Sequence, residues 1–241
     1  MIRTIRLHSV IFWLLMFAVL VAAILFLLFT DSSEMKSIFT SGNTDAPVLV
    51  IDAGHGGEDG GATSLSGILE SELNLDISKR MAALSGLTGI KFIMTRDSDD
   101  IEYPDSANTI SKKKKYDQKH RVEIINTTKN AILISVHQNC YPHKSPHGPQ
   151  AFYSKKEGSD TLAKLVQDAM NASLYPENRR IAMPVASNVY LFKNVTCTAV
   201  LVECGFISNP DESKKLDTET YRLKVAASLM SAYMQYIDMN E

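Results

Sequence analysis

Residues 10–29, VIFWLLMFAVLVAAILFLLF, are apolar throughout and carry no charge. As a helix rising about 1.5 Å per residue, this run spans roughly 30 Å, the depth of a bilayer core. It is longer than the roughly 7–15 residues of a secretory h-region, and the sequence after Phe29 offers no small-x-small cleavage site. It reads as an uncleaved transmembrane signal anchor, with cleavage after export as the alternative. Arg3 and Arg6 precede the run, whereas Asp31, Glu34 and Lys36 follow it. That bias keeps residues 1–9 in the cytoplasm and exports the remainder. Residues 30–46, rich in Ser, Thr, Asp and Gly, lack sustained periodicity and read as a linker.

From Pro47 the pattern changes to short β-branched runs alternating with longer helical stripes. Strands are predicted at Val48–Ile51, Lys91–Met94, Ile132–Val136, Ala151–Tyr153, Val189–Leu191 and Ala199–Val202. Helices are predicted at Glu70–Leu84, Lys115–Asn126, Thr161–Ala172 and Thr220–Ile237. The first helix carries Leu69, Leu73, Ile77, Met81 and Leu84 on one stripe, and the last carries Leu223, Ala227, Met230, Met234 and Ile237. This alternation predicts a single α/β domain over 47–241. Its sheet is expected to be twisted, mostly parallel or mixed, with about six strands and helices on both faces.

Composition narrows the function more than the fold. Among 241 residues, 45% are hydrophobic and 22% charged, and the net charge of -2 provides no basic field for nucleic acid phosphates. Nucleic acid is therefore not an expected partner. Cys140, Cys197 and Cys204 are too few for a disulfide framework, and Cys197 and Cys204 are read as free thiols near a buried strand. The Lys112–Lys115 run reads first as a solvated stretch entering a helix and second as a patch for an anionic glycan, lipid or protein. His120 is expected to face solvent, and His143 and His147 fall in the Pro-rich loop YPHKSPHGP.

Candidate chemistry gathers where the predicted strands end. The first strand runs into Asp52-Ala53-Gly54-His55-Gly56-Gly57, where flanking glycines permit a sharp turn beside an accessible imidazole. Glu70 stands at the start of the first long helix, a position the helix dipole also favours for a carboxylate. His137 follows one strongly apolar strand and Glu203 ends another. Open α/β sheets place sites beyond the carboxyl ends of their strands, so His55, His137 and Glu203 share one edge. Two histidines and a carboxylate suit zinc with a fourth position left for water. An acid at the end of a buried strand needs a partner, or its pKa rises toward that of a general base. Glu72 competes with Glu70 as the carboxylate ligand.

The blocks IDAGHGGEDGGA, GILESELNL, TRD, HRVEIIN, LISVHQN and VLVECGFISNPDE follow one another in this order. Together they resemble the zinc-dependent N-acetylmuramoyl-L-alanine amidases of bacterial cell walls, from about Val48 to the C-terminus. The resemblance implies one Zn2+ per chain held by His55, Glu70 and His137, with Glu203 as the catalytic carboxylate. It selects Glu70 over Glu72 because Glu70 holds the family's ligand place before Asn74-Leu75. Ala53 stands where a proline is common, and Gln138 stands where a small residue is common and is expected to alter substrate contacts.

The implied reaction hydrolyses the amide between the lactyl group of N-acetylmuramic acid and the L-alanine of the peptidoglycan stem peptide. The anchor, the bare catalytic domain and a long polar segment at 97–120 further resemble the sporulation-type, germination-specific branch. That branch acts on spore cortex, where its products lead to muramic δ-lactam. The resemblance therefore implies peptidoglycan as substrate and a membrane-anchored, exported domain, in the forespore intermembrane space for this branch. An envelope partner that regulates activity or metal occupancy is a further expectation. The alternatives are another zinc peptidase of the wall, a vegetative wall amidase and a non-catalytic wall-binding regulator.

Overall fold

The computed structural model describes residues 45–240. The expected anchor at 10–29 and nearly all of the expected linker lie outside the described residues. Among the described residues, no helix is long and apolar enough to cross a membrane.

Six strands form one mixed sheet. They are β1 (Val48–Ala53), β2 (Phe92–Met94), β3 (Ala131–Asn139), β4 (Gln150–Tyr153), β5 (Met183–Pro184) and β6 (Thr198–Phe206), in the spatial order β2-β1-β3-β6-β4-β5. β1 runs parallel to β2 and β3, and β3 parallel to β6. β4 is antiparallel to β6 and parallel to β5. The helices are α1 (Glu70–Thr88), α2 (Ile110–Thr127), α3 (Ser159–Leu174), α4 (Tyr190–Asn194), α5 (Pro210–Leu216) and α6 (Glu219–Asp238).

Strict alternation in the central strands builds a core on each face of the sheet. Leu49, Ile51, Ile132, Ile134, Val136, Val200 and Val202 point to one side, where Ile77 and Met81 of α1, Leu162 and Val166 of α3, and Leu229 and Tyr233 of α6 cover them. Val50, Leu133, Ala199 and Leu201 point to the other side, against Ile125 of α2 and Leu191 and Phe192 of α4. Each fully buried aliphatic or aromatic side chain contributes about 1.5–3 kcal/mol, so the two layers fix the register of the long strands β3 and β6.

The connection from β1 crosses to β2 through α1 on one face, and the return to β3 passes through α2 on the other. The chain thus diverges at β1. The carboxyl ends of β1 and β3 border the crevice where such sheets place their sites.

Three expectations are corrected. Val189–Leu191 is not a strand: Val189 caps the short helix α4, and Leu191 and Phe192 close the smaller core. A β-branched residue beside two large apolar ones has the same pattern in a short buried helix as in a strand. The helix expected from Lys115 begins at Ile110, where the Thr109 hydroxyl accepts the Lys112 amide at 3.3 Å. In α6 the buried stripe is Val225, Leu229, Ala232, Tyr233 and Tyr236, while Leu223 and Met234 are 44% and 42% exposed. That helix is apolar around most of its circumference, so periodicity alone left its orientation open. The β5 and α5 elements carry no strong periodicity. α5 is marked instead by Asn209 capping Asp211 and Glu212, with Pro210 in its first turn.

Candidate metal centre and proton-transfer site

His55 stands just past β1 with φ 59, a left-handed conformation. His137 lies on β3, and Glu70 opens α1. His55 Nε2 and His137 Nδ1 both lie 3.2 Å from Glu70 Oε1, and one donor atom from each of the three residues falls within 4.8 Å of the others. Tetrahedral bonds of about 2.0–2.1 Å separate donors by about 3.3 Å, so two imidazoles and a carboxylate at this spacing fit a zinc ion. Glu72 is exposed on α1, away from the cluster.

The three side chains are held from behind. Glu70 Oε1 accepts the Gln138 amide at 3.2 Å and Oε2 accepts the Ala62 amide at 3.1 Å. Asn74, fully buried one turn along α1, donates to Gly54 O at 3.1 Å and accepts Gln138 Nε2 at 3.1 Å. Gln138 is buried and braces Asn74, so it supports the carboxylate from behind. Burial opposes the charge on Glu70, but hydrogen bonds with His137 and His55 hold it below the usual carboxylate range. Burial also opposes charge on His55, yet Glu70 and Asp59 raise its pKa. Asp59 Oδ2 lies 3.1 Å from His55 Nδ1.

Gly54 is required by this packing. A Cβ there would lie 2.3 Å from the His137 ring, with no room to yield except by displacing the imidazole. Gly54→Ala is therefore expected to weaken zinc affinity by roughly 10–100-fold, the usual scale for disturbing a ligand's support. Competition with a chromogenic chelator checks this, and wild-type affinity would show that the ring has another place to go.

Glu203 is the register partner of His137 on β6. Its Oε2 is buried with no hydrogen-bond partner among the described residues. Burial pushes the Glu203 carboxyl up to about 7, against the opposing influence of the nearby His137. This is the range in which a carboxylate both accepts and returns a proton near neutrality.

Two arginines that the sequence did not single out fix the end of β1. Arg121, 4% exposed, pairs with Asp52 Oδ1 at 2.8 Å and Asp117 Oδ2 at 2.8 Å, and donates to the carbonyls of Ala53 and His55. Arg96 donates to Ala53 O at 2.9 Å, Gly54 O at 3.2 Å and Ser71 O at 2.8 Å. The turn after β1 leaves its last carbonyls without ladder partners, and the guanidinium forks satisfy them. Both residues lie inside the blocks TRD and HRVEIIN, the only trace of them in the sequence.

The segment 97–120 closes over the loop after His55. Lys113 Nζ meets Glu58 Oε1 at 2.7 Å, Lys114 Nζ meets Asp59 Oδ1 at 2.7 Å, and the Tyr103 hydroxyl accepts the Glu58 amide at 3.4 Å. Half of the lysine run is thus spent on this loop. His120 is exposed on α2, and His143 and His147 lie away from the cluster in the β3–β4 loop. All three cysteines are free.

The family model for N-acetylmuramoyl-L-alanine amidase matches residues 49–234, nearly the whole described domain. The chain belongs to this amidase family. It is 34% identical to the germination-specific N-acetylmuramoyl-L-alanine amidase of Bacillus subtilis, over 86% of this chain and 84% of that protein. It is 27% identical to the amidase LytC of the same organism, over 85% of this chain but 41% of the relative. Among solved structures, the CwlD amidase of Clostridioides difficile, determined in complex with the GerS lipoprotein, superposes with a TM-score of 0.76. That match has 32% identity and covers 80% of this chain and 99% of the other. The family places this chain among the hydrolases of the muramoyl-alanine amide, and the six-stranded α/β domain is its fold.

Proposed function

We propose that the chain is a zinc-dependent amidase that cleaves the muramoyl-L-alanine bond in spore cortex peptidoglycan, with His55, Glu70 and His137 as ligands and Glu203 as the proton carrier. The observation that carries the assignment is the pairing of a three-donor cluster with an unpartnered, buried Glu203 oxygen one strand away. Zinc bound there supplies Lewis acidity, polarising the scissile carbonyl and acidifying water. Glu203 takes the proton of the attacking water on its unpartnered oxygen and returns it to the nitrogen of L-alanine as the amide breaks. Glu70 keeps its charge through the reaction because two imidazoles and two backbone amides hold it.

The cortex role rests on the likeness to the germination-specific relative, which this chain matches along most of both lengths. We assign residues 1–9 to the cytoplasm, 10–29 to a signal anchor, 30–46 to a linker and 47–241 to the exported catalytic domain. The apolar run and its flanking charges support that division. The amidase solved in complex with a lipoprotein supports an envelope partner of the same kind for this chain.

The reading is tested by mass spectrometry of the products formed when the zinc-loaded protein acts on purified peptidoglycan. Stem peptides with a free L-alanine amino group, together with glycan bearing free lactyl carboxylates, are expected. Peptides trimmed from their carboxyl ends would identify a carboxypeptidase instead.

A further inference from the structure

We propose that Arg180 is a specificity-determining residue that binds a free carboxylate on the residue following L-alanine in the stem peptide. The proposal rests on the amidase reading above. Across the sheet, His137 and Glu203 are register partners, and Glu203 and Gln150 are register partners on its other side. Directly opposed residues share a face, so the three form one row running away from the metal-binding cluster.

The row ends on a fixed cation. Gln150 Oε1 accepts Arg180 Nη1 at 3.0 Å, and Gln150 Nε2 donates to Ile181 O. Arg180 Nε donates to His147 O at 3.1 Å, and its guanidinium carbon lies 5.0 Å from the centre of the Phe206 ring. Its backbone is pinned as well, with the amide on Asn178 Oδ1 and the carbonyl on Asn171 Nδ2, each at 3.2 Å. These contacts use two of the five guanidinium N–H donors, and neither accepting oxygen is charged. Among the described residues, Arg180 makes no ion pair, whereas Arg80, Arg96, Arg121 and Arg222 each pair with a carboxylate. Arg180 lines an open cavity together with Ser145, Pro146, His147, Glu177, Asn178 and Arg179. Holding a half-buried guanidinium in place while leaving it without an acid is the arrangement that receives an anionic ligand through paired N–H donors.

The direction and the reach both fit the peptide. Glu203 delivers its proton to the leaving nitrogen, so the peptide half of the substrate lies at Glu203, and the three-residue cluster occupies the opposite side. Opposed side chains on one face stand about 5 Å apart, and one hydrogen bond of about 3 Å leads on from the Gln150 amide to Arg180, roughly 8 Å in all. Two extended residues cover about 7 Å, and the hydrogen bonds of about 3 Å at their ends make up the rest. A carboxylate on the residue after L-alanine therefore reaches the guanidinium while the L-alanine nitrogen stays at Glu203.

The test compares two synthetic muramoyl dipeptides, one with the second residue's α-carboxylate free and one with it as the carboxamide, using the zinc-loaded full chain. Wild type is expected to favour the free acid by about tenfold or more in kcat/KM, chiefly through KM, as loss of a charged hydrogen-bond partner predicts. Arg180→Gln is expected to erase that preference, its kcat/KM on the free acid falling to the level of the carboxamide, and Arg180→Lys to restore part of it. An equal loss on both substrates would show a structural role and overturn the proposal, as would wild type with no preference. Wild type inert toward both, despite bound zinc, would instead overturn the amidase reading and the proposal with it.

Discussion

Glu203→Gln is expected to retain one zinc per chain and the wild-type thermal transition while losing roughly 10²–10⁴-fold in kcat, the usual worth of a positioned acid–base group. The amide fills the carboxylate's volume beside His137 but neither takes a proton from water nor returns one to a nitrogen. Burial that pushes the acid up to about 7 penalises its charged form, so a neutral amide costs the fold little. His137→Ala behaves differently because it removes a donor that faces Glu70 Oε1 at 3.2 Å, and both zinc and turnover are expected to disappear. Metal analysis of the two purified variants separates the roles. Full zinc content in His137→Ala would remove it from the ligand set, and loss of zinc in Glu203→Gln would make Glu203 a fourth ligand.

The contrast between these two neighbours shows what a sequence makes visible. Strand ends are legible because a run such as Val48-Leu49-Val50-Ile51 stops at a polar residue and glycines, and the histidines and Glu203 sit at those stops. Alternation then gave the two faces of the sheet, and the order of strand and helix gave the α/β class. Glu70 was separable from Glu72 only through the family's spacing, since both sit in the first turn of α1, where a carboxylate is favoured for other reasons. What Gln138 touches was not legible from its position beside His137 in sequence. In a strand, adjacent residues face opposite sides, so Gln138 points toward Asn74 when His137 points toward the site.

The segment 97–120 illustrates a different limit. Composition marks it as polar and long, with a lysine run that reads first as a solvated stretch and second as a patch for an anionic partner. In the structure Lys113 and Lys114 bind Glu58 and Asp59, which belong to the same glycine-rich loop as His55. The charge that seemed addressed to solvent is addressed to the loop that carries His55. No periodicity links residues some 55 positions apart, so this relation emerges only from the fold.

Arg121→Met is expected to be the costliest substitution around the site, at about 3–5 kcal/mol, the scale for removing one partner of a buried ion pair. The change leaves Asp52, 1% exposed, with only the hydroxyls of Thr95 and Ser135, and leaves the carbonyls of Ala53 and His55 without their donor. The cost should depend on pH in a definite direction. In the wild type, burial works against the Asp52 charge, but Arg121 and the two hydroxyls hold its carboxyl at about 2, below its ordinary 3.8. A group lowered in this way stabilises the fold above its unfolded pKa and loses that contribution as pH falls through about 2. Without Arg121, burial loses its main opponent and the same carboxyl is expected to rise, so the variant loses stability relative to the wild type as pH climbs toward neutrality. The stability gap between wild type and Arg121→Met is therefore expected to be wider at pH 7 than at pH 4, as measured by urea denaturation at both. Arg121→Lys should fall between them, because a single ammonium keeps the charge but cannot span Asp52, Asp117 and two carbonyls at once. A gap below about 1 kcal/mol, or one that does not change between the two pH values, would mean that the end of β1 is held by Arg96 and packing instead.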